Sequence, residues 1–179
     1  MISFRILLFS ALSVLIMSSC SKKLTPFTTK LYAQNQWSED ELKSIQFYLS
    51  DDIIIRRQLK DASSEIVEGE IKMIDGRQVE EIIIPKGTPG ILEFVRDEKY
   101  HFGISFEEGK YLMFGPNPKR GGEYVLLASG WKNRVGKIRY DDKNYYTGSG
   151  DGYAKLMVNL KKINERDYDS RKVKGRTID

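Results

Sequence analysis

Apolar residues appear at helical spacing directly after Trp37. Ser38 and, three residues later, Glu41 match a capping box, in which each side chain accepts a hydrogen bond from a backbone N–H at the start of a helix. Trp37 before the box and Leu42 after it match a hydrophobic staple. The apolar positions that follow are Leu42, Ile45 and Leu49, with Tyr48 beside them. The pattern predicts one short helix over residues 39–49.

From Asp52 onwards, hydrophobic and polar residues alternate with the period of two of a β-strand. The alternating runs predict strands over residues 53–59, 66–74, 77–84, 91–96, 100–106, 110–114, 124–129, 135–140, 144–147 and 155–163. Turn-forming residues separate them, and Asp75-Gly76 is the strongest hairpin signal. Short strands joined by tight turns indicate a mainly β fold, either an antiparallel β-sandwich or a small β-barrel-like domain.

The same pattern predicts the domain boundaries. Residues 20–36 have mixed polarity without a clear period, which favours a tether. Residues 37–164 contain the predicted helix and strands and form one domain. Residues 165–179 are almost wholly charged or polar, a composition that predicts a disordered tail.

The N-terminus has the layout of a cleaved export signal. A single basic residue, Arg5, precedes an apolar run from Ile6 to Met17, and small residues close the run. This run of about a dozen residues is shorter than the roughly 20 that a membrane-spanning helix needs. We therefore expect residues 1–19 to be a signal peptide and not a retained anchor.

Residues 17–20, Met-Ser-Ser-Cys, resemble the lipobox of bacterial lipoproteins. The resemblance implies cleavage before Cys20, diacylglycerol on its sulfur and acylation of the new amino group. Because stable anchoring needs more than one acyl chain, this modification implies a lipid bilayer as the partner of acylated Cys20. Ser21, with no acidic residue after it, resembles lipoproteins sent to the outer membrane. The predicted location is the periplasmic face of that membrane.

Composition adds limits on size and partners. Removing the first 19 of 179 residues leaves 160, which is enough for one domain with its own core. Of the 29 basic residues one lies in the signal, so 28 basic residues face 25 acidic ones and the net charge is +3. These interspersed charges lack the dense basic patch of a nucleic-acid binder. The sequence therefore predicts no nucleic-acid partner.

Residues that could support catalysis are scarce. The chain has one histidine, His101, which is expected on a sheet face within the strand 100–106, and one cysteine, Cys20, which is expected to carry lipid. Neighbouring carboxylates such as Glu80 and Glu81 point to opposite faces of a strand and cannot form one acid/base pair. The glycine-rich residues 148–152 lack the pattern of a dinucleotide or phosphate loop and predict a flexible turn. We therefore predict no catalytic residue, no metal and no cofactor.

One group of aromatic and basic residues could form a binding surface. Its members are Trp131, Arg134, Tyr140, Tyr145, Tyr146 and Tyr153, interleaved with Lys132, Lys137 and Arg139. Rigid aromatic rings next to hydrogen-bond donors suit a sugar or a peptide. The alternative is that these aromatic residues fill strand faces, where such residues are common. Trp131, which we place in a loop over residues 130–133, is the expected exposed anchor.

Three functions are compatible with the sequence. The favoured one is a non-catalytic lipoprotein that binds another envelope protein in a secretion, motility or transport assembly. The second is a lipoprotein that binds glycan or peptidoglycan through the aromatic group around Trp131. An envelope hydrolase is the least favoured, because the chain lacks a second histidine and a nucleophile elbow.

Overall fold

The fold of this chain is known from a computed structural model. The structure describes residues 23–59, 70–74, 77–96, 100–148 and 153–166. These residues form two antiparallel sheets with few helices, which confirms the predicted mainly β fold and agrees with the β-sandwich of the two predicted arrangements. Several predicted features lie outside the described residues, namely the signal peptide with Cys20, the turn at Asp75-Gly76, residues 149–152 and residues 167–179.

The described elements alternate short strands with a few short helices. The strands are β1 (Thr25–Pro26), β2 (Phe47–Leu49), β3 (Ile53–Gln58), β4 (Glu70–Ile74), β5 (Arg77–Ile84), β6 (Pro89–Arg96), β7 (His101–Glu107), β8 (Lys110–Asn117), β9 (Glu123–Leu126), β10 (Gly130–Lys132), β11 (Val135–Tyr140), β12 (Lys143–Thr147) and β13 (Leu156–Val158). The helices are α1 (Thr29–Asn35), α2 (Glu39–Ser44) and α3 (Leu160–Arg166), with a 3₁₀ turn at Pro118–Arg120. None of the described helices combines the length and the hydropathy that crossing a membrane requires.

The first sheet contains seven strands in the order β1-β13-β2-β6-β7-β8-β9, and it curls until its last strand meets its first. The N–H of Tyr124 in β9 donates to the carbonyl of Phe27 at 3.0 Å, and the N–H of Leu126 donates to the carbonyl of Ala154 at 3.0 Å. Residues that flank β1 and β13 thereby cover the edge of β9. The edges of the first sheet are therefore not open to a partner strand, unlike the edges of a flat sheet.

The second sheet contains six strands in the order β10-β11-β12-β3-β5-β4 and stays open. Strands β10, β11 and β12 are consecutive and join through two-residue turns, so they form a meander at one side of the sheet. Strand β10 is the outermost of these strands and all three of its residues are exposed. One edge of the second sheet is therefore a short hairpin, and the other edge is β4.

Both sheets contribute to one cluster of buried hydrophobic residues. Phe27, Phe102 and Tyr124 from the first sheet and its flanking residues are within ring-contact distance of one another, with centroids 4.7 to 5.6 Å apart. Ile53 and Ile55 of β3 extend the cluster into the second sheet. The interior is therefore continuous between the two sheets.

The predicted tether over residues 20–36 is wrong from Thr25 onwards. Thr25–Pro26 pair with β13, Phe27 is fully buried, and α1 begins after Thr28, whose side chain caps it by accepting from the N–H of Leu31 at 3.1 Å. The burial of one large aromatic ring stabilises this segment against the core. The folded body therefore begins close to residue 25 and not at Trp37.

The predicted helix over 39–49 is too long. Its capping box is confirmed, since Glu41 accepts from the N–H of Ser38 at 2.7 Å, but α2 ends at Ser44. Residues 47–49 form β2, whose three residues are all buried, because pairing on both sides with β13 and β6 outweighs one more helical turn. The predicted strand over 155–163 shows the reverse error: β13 ends at Val158 and α3 starts at Leu160.

Candidate binding surface on the edge hairpin

The hairpin of β10 and β11 forms one edge of the second sheet, and its turn is tight. Lys132 is paired with Val135, and the two residues between them, Asn133 and Arg134, have φ values of +51° and +66°. Positive φ at both central residues is the geometry of a type I′ turn, which matches the twist of paired strands. Residues 130–132 are thus a strand, and the predicted loop over residues 130–133 is wrong except for its last residue.

Trp131 is held in place by a glycine on the neighbouring strand. The register pairs Trp131 with Gly136, and a methyl group placed on Gly136 would lie only 2.8 Å from Cζ3 of the indole and 3.0 Å from Cβ of Ala128. One part of the ring therefore covers the bare backbone of the glycine. The side chain of Trp131 nevertheless remains 49% exposed, which makes it a fixed aromatic group with an accessible surface.

The hairpin carries positive charge that no described acidic residue neutralises. Lys132, Arg134 and Lys137 are exposed and form no ion pair within the described residues, whereas Arg139 pairs with Asp142 at 2.9 Å. No acidic residue occurs between Gly130 and Tyr140 in the sequence. The surface is therefore basic and aromatic, in contrast to the near-neutral balance of the whole chain.

A shallow hollow of about 470 Å³ lies along this hairpin, bordered by Gly130, Lys132, Val135, Lys137 and Tyr146 as well as Trp131. The cross-strand pairs are Gly130 with Lys137 and Lys137 with Tyr146, so these three residues share the outer face of the sheet. Gly130 has open space where a side chain would stand. Trp131, one residue along, belongs to the opposite face.

The six residues predicted as one binding surface do not form one. Trp131 and Tyr146 are 49% and 48% exposed and Arg134 is exposed, so these three lie at or beside the hairpin. Tyr140 and Tyr145 are buried, and that part of the prediction is wrong because both side chains point into the sandwich. Tyr153 is exposed away from the hairpin hollow, with the guanidinium of Arg120 5.0 Å above its ring.

The buried tyrosines have structural partners. The hydroxyl of Tyr140 donates to Oε2 of Glu107 at 2.9 Å, and the ring of Tyr145 lies 5.7 Å from the guanidinium carbon of Arg57. Burial raises the pKa of Tyr145, and the negative charge of Glu80 raises it further. Both residues therefore belong to the interior of the sandwich.

The adjacent carboxylates Glu80 and Glu81 lie on opposite faces of β5, as predicted. Arg57 Nε donates to Glu80 at 2.8 Å, while Arg56 Nε donates to Glu81 at 2.5 Å. Each carboxylate is thus engaged with a different arginine of β3. Among the described residues, no group of three or more histidine, cysteine, aspartate or glutamate side chains is arranged to hold a metal ion.

His101 begins β7 and lies on a sheet face, as predicted. Its ring packs on Gly115, where an added methyl group would lie 2.7 Å from Cδ2 of the imidazole. It borders a cleft of about 440 Å³ between the two sheets, together with Arg96, Met113, Leu127, Ile138 and Arg139. Asp141 and Asp142 also line this cleft. Its rim therefore carries both positive and negative charge, whereas the hairpin carries positive charge.

Sequence reasoning missed two glycines that shape the hairpin surface, Gly130 and Gly136. The two residues between Lys132 and Val135 could have predicted a hairpin turn and, with it, the pairing of the two strands. If Asn133 and Arg134 form the turn, the register pairs Trp131 with Gly136, the residue on which the indole packs.

Comparisons with protein-family models, with curated proteins and with solved structures find no match to this chain.

Proposed function

We propose that this chain is a non-catalytic lipoprotein of the bacterial cell envelope. Acylated Cys20 anchors it, most simply at the periplasmic face of the outer membrane, and the hairpin of β10 and β11 binds another envelope protein of a secretion, motility or transport assembly. The observation that carries the proposal is the half-exposed indole of Trp131, seated on Gly136 at an open sheet edge. Tryptophan fixed in such a position is typical of the residues that dominate protein interfaces.

The proposal has a consequence for how far the domain extends from the bilayer. Because β1 begins at Thr25, only five residue steps separate the strand from Cys20. A fully extended chain of that length spans at most about 17 Å. The anchored body therefore stays close to the membrane surface, and its partner is expected to be bound or embedded in the same membrane or to reach close to it.

A glycan partner has less support from the same surface. A sugar ring stacks well when aromatic faces are presented together, but Trp131 and Tyr146 belong to opposite faces of the sheet by their register. The basic side chains beside Trp131 favour a negatively charged partner instead. We therefore keep peptidoglycan binding as an outcome of the test and not as the proposal.

Site-specific photocrosslinking in intact cells tests the protein-binding function. A benzophenone amino acid replaces Trp131 in one variant and Tyr153 in a matched control, because both aromatic side chains are 49% exposed and Tyr153 is outside the hairpin hollow. The expected result is a defined protein adduct at position 131 and none at position 153. Equal adducts at both positions, or no protein adduct at 131, would contradict the proposal.

Two further measurements complete the test. If only peptidoglycan co-sediments with the protein and Trp131→Ala abolishes that, the glycan function replaces the proposed one. Mass spectrometry of the mature protein should find an acylated N-terminal Cys20, and Cys20→Ser should release the protein from membranes. An unmodified thiol would disprove the anchor.

A further inference from the structure

The outer edge of β10 presents backbone groups that the hairpin does not use. In a two-residue hairpin the pair next to the turn, Lys132 and Val135, exchanges hydrogen bonds, and the next pair, Trp131 and Gly136, does not. The N–H and carbonyl of Trp131 therefore point away from β11 and towards the open edge. The N–H of Gly136 likewise points away from β10, since it donates to Oγ1 of Thr147 on the other side at 2.9 Å.

Side chains around this edge divide by charge between the two faces of the sheet. Lys132 and Lys137 lie on the outer face with Gly130, whose missing side chain leaves the hollow open. Trp131 lies on the inner face and offers an apolar surface. A strand laid against β10 would place successive side chains alternately beside the lysines and beside the indole.

The charge of the hairpin determines which charge the side chains of such a strand should carry. The three exposed cations Lys132, Arg134 and Lys137 have no described ion-pair partner, so a cationic segment would be repelled and an anionic one attracted. A residue paired with Trp131 would share its inner face, and the residues on either side would point to the outer face near the lysines. The complementary pattern is therefore acidic, apolar, acidic.

On this basis, and resting on the proposed function, we propose that the partner contributes an extended segment of alternating acidic and apolar residues that adds as a further strand to β10. Backbone hydrogen bonds to Trp131 hold the segment in register, its apolar side chain packs beside the indole, and its carboxylates face Lys132 and Lys137. Strand addition to an exposed sheet edge is an established mode of peptide recognition, in which the backbone supplies affinity and alternate side chains supply specificity.

The probe for this inference is a short fluorescent peptide of alternating glutamate and valine, titrated with the mature chain, carrying Cys20→Ser, in solution. Two matched peptides serve as controls: one with lysine in place of glutamate, and one with the glutamate sequence but N-methylated at alternate residues, which keeps the side chains and removes backbone donors. Fluorescence anisotropy should show binding of the glutamate peptide that weakens as salt is raised. N-methylation should weaken it by about fivefold, the equivalent of one backbone hydrogen bond.

Variants of the chain identify the surface that binds. Lys137→Glu should weaken the glutamate peptide by about tenfold, and Lys30→Glu, an exposed lysine on α1, should leave its affinity unchanged. Circular dichroism of each variant confirms that it is folded. Equal binding of the lysine peptide or of the N-methylated peptide would overturn the inference. Full competition by polyphosphate at matched ionic strength would overturn it too, because it would reduce the surface to a general anion site.

Failure of this inference is distinguishable from failure of the proposed function. If the crosslinker at position 131 captures a protein but the glutamate peptide does not bind, strand addition is wrong and protein binding stands. If no protein is captured at position 131, the proposed function fails and the inference fails with it.

Discussion

The guanidinium of Arg57, whose side chain is 23% exposed, packs against the buried carboxylate of Glu80, with Nε donating to Oε2 at 2.8 Å. The two residues are direct cross-strand partners in β3 and β5, and Glu80 is 1% exposed. Burial alone would lower the pKa of Arg57, but the hydrogen bond and the charge of Glu80 outweigh that effect and raise the pKa above its ordinary value. Arg57 therefore keeps its positive charge beside Glu80.

Removing the carboxylate should destabilise the fold severely. Glu80→Gln leaves the partly buried charge of Arg57 without its partner, and we expect the free energy of unfolding to fall by about 3 kcal/mol in urea denaturation. Asp142→Asn is the control, because its pair with Arg139 is exposed and is worth less than about 1 kcal/mol. The double variant Arg57→Met, Glu80→Leu should recover most of the loss. Equal losses for Glu80→Gln and Asp142→Asn would contradict this account.

Two buried tyrosines should respond in opposite ways to loss of their hydroxyl groups. The hydroxyl of Tyr124 is buried without a hydrogen-bond partner among the described residues, whereas that of Tyr145 interacts with Arg57 and Glu80. Tyr124→Phe should therefore be neutral or stabilise by up to about 1 kcal/mol, and Tyr145→Phe should destabilise by about 1 kcal/mol at pH 7. Urea titrations of both variants and the wild-type chain measure the difference.

Tyr124 also gives the stability a dependence on alkaline pH. Burial, followed by the neighbouring Tyr32 and Tyr100, raises the pKa of Tyr124 above its ordinary value of 10.0. Because the unfolded chain then loses this proton first, the contribution of Tyr124 is fully present below about pH 10 and is lost as the pH rises further. The wild-type chain should therefore lose more stability than Tyr124→Phe between pH 9 and pH 11, and parallel curves would exclude this explanation.

The pattern of residues predicts the long strands well and the short buried ones poorly. Residues 77–84 and 135–140 have the predicted bounds, and in the second of these strands exposed Lys137 and Arg139 alternate with buried Ile138 and Tyr140, a pattern specific to a half-buried strand. Residues 47–49 are buried on both faces and have no alternation to detect, so the spacing of Leu42, Ile45 and Leu49 was equally compatible with a helix. Pairing with distant strands decided the outcome, and no local pattern contains that information.

The candidate surface was predictable only in part for a related reason. Tyr140 alternates with Arg139 and lies on the same face as Ile138, so its parity already indicated burial. Trp131 is on the same face of the sheet as these buried residues, yet it is exposed because it stands at the edge, beyond the cover of the first sheet. Parity along a strand assigns a face, but the extent of cover over that face depends on the packing of two sheets.

The segment before Trp37 gives a direct test of where the folded body begins. Phe27 is fully buried among aromatic rings, although residues 20–36 lack any periodic pattern. Phe27→Ala should lower the free energy of unfolding by about 3 to 5 kcal/mol, as expected for a large buried ring, whereas Thr29→Ala, at an exposed position on α1, should change it by less than about 0.5 kcal/mol. Thermal or urea denaturation compares the two variants. A small effect of Phe27→Ala would support the original prediction that residues 20–36 are a tether.

Replacing Arg134 should change the stability of the fold and the binding of the peptide in opposite directions. Its φ of +66° is favourable for glycine and costly for arginine, and Asn-Gly is the preferred pair of a type I′ turn. Arg134→Gly should therefore raise the free energy of unfolding by about 1 kcal/mol, and it should weaken the glutamate–valine peptide several-fold because an exposed cation is lost. Arg134→Lys, which keeps both the charge and the strained backbone, should match the wild-type chain in both measurements. Urea denaturation and fluorescence anisotropy on the same preparations make the comparison. A glycine variant that is less stable would contradict the role assigned to the strained backbone, and one that binds the peptide unchanged would contradict the role assigned to the charge.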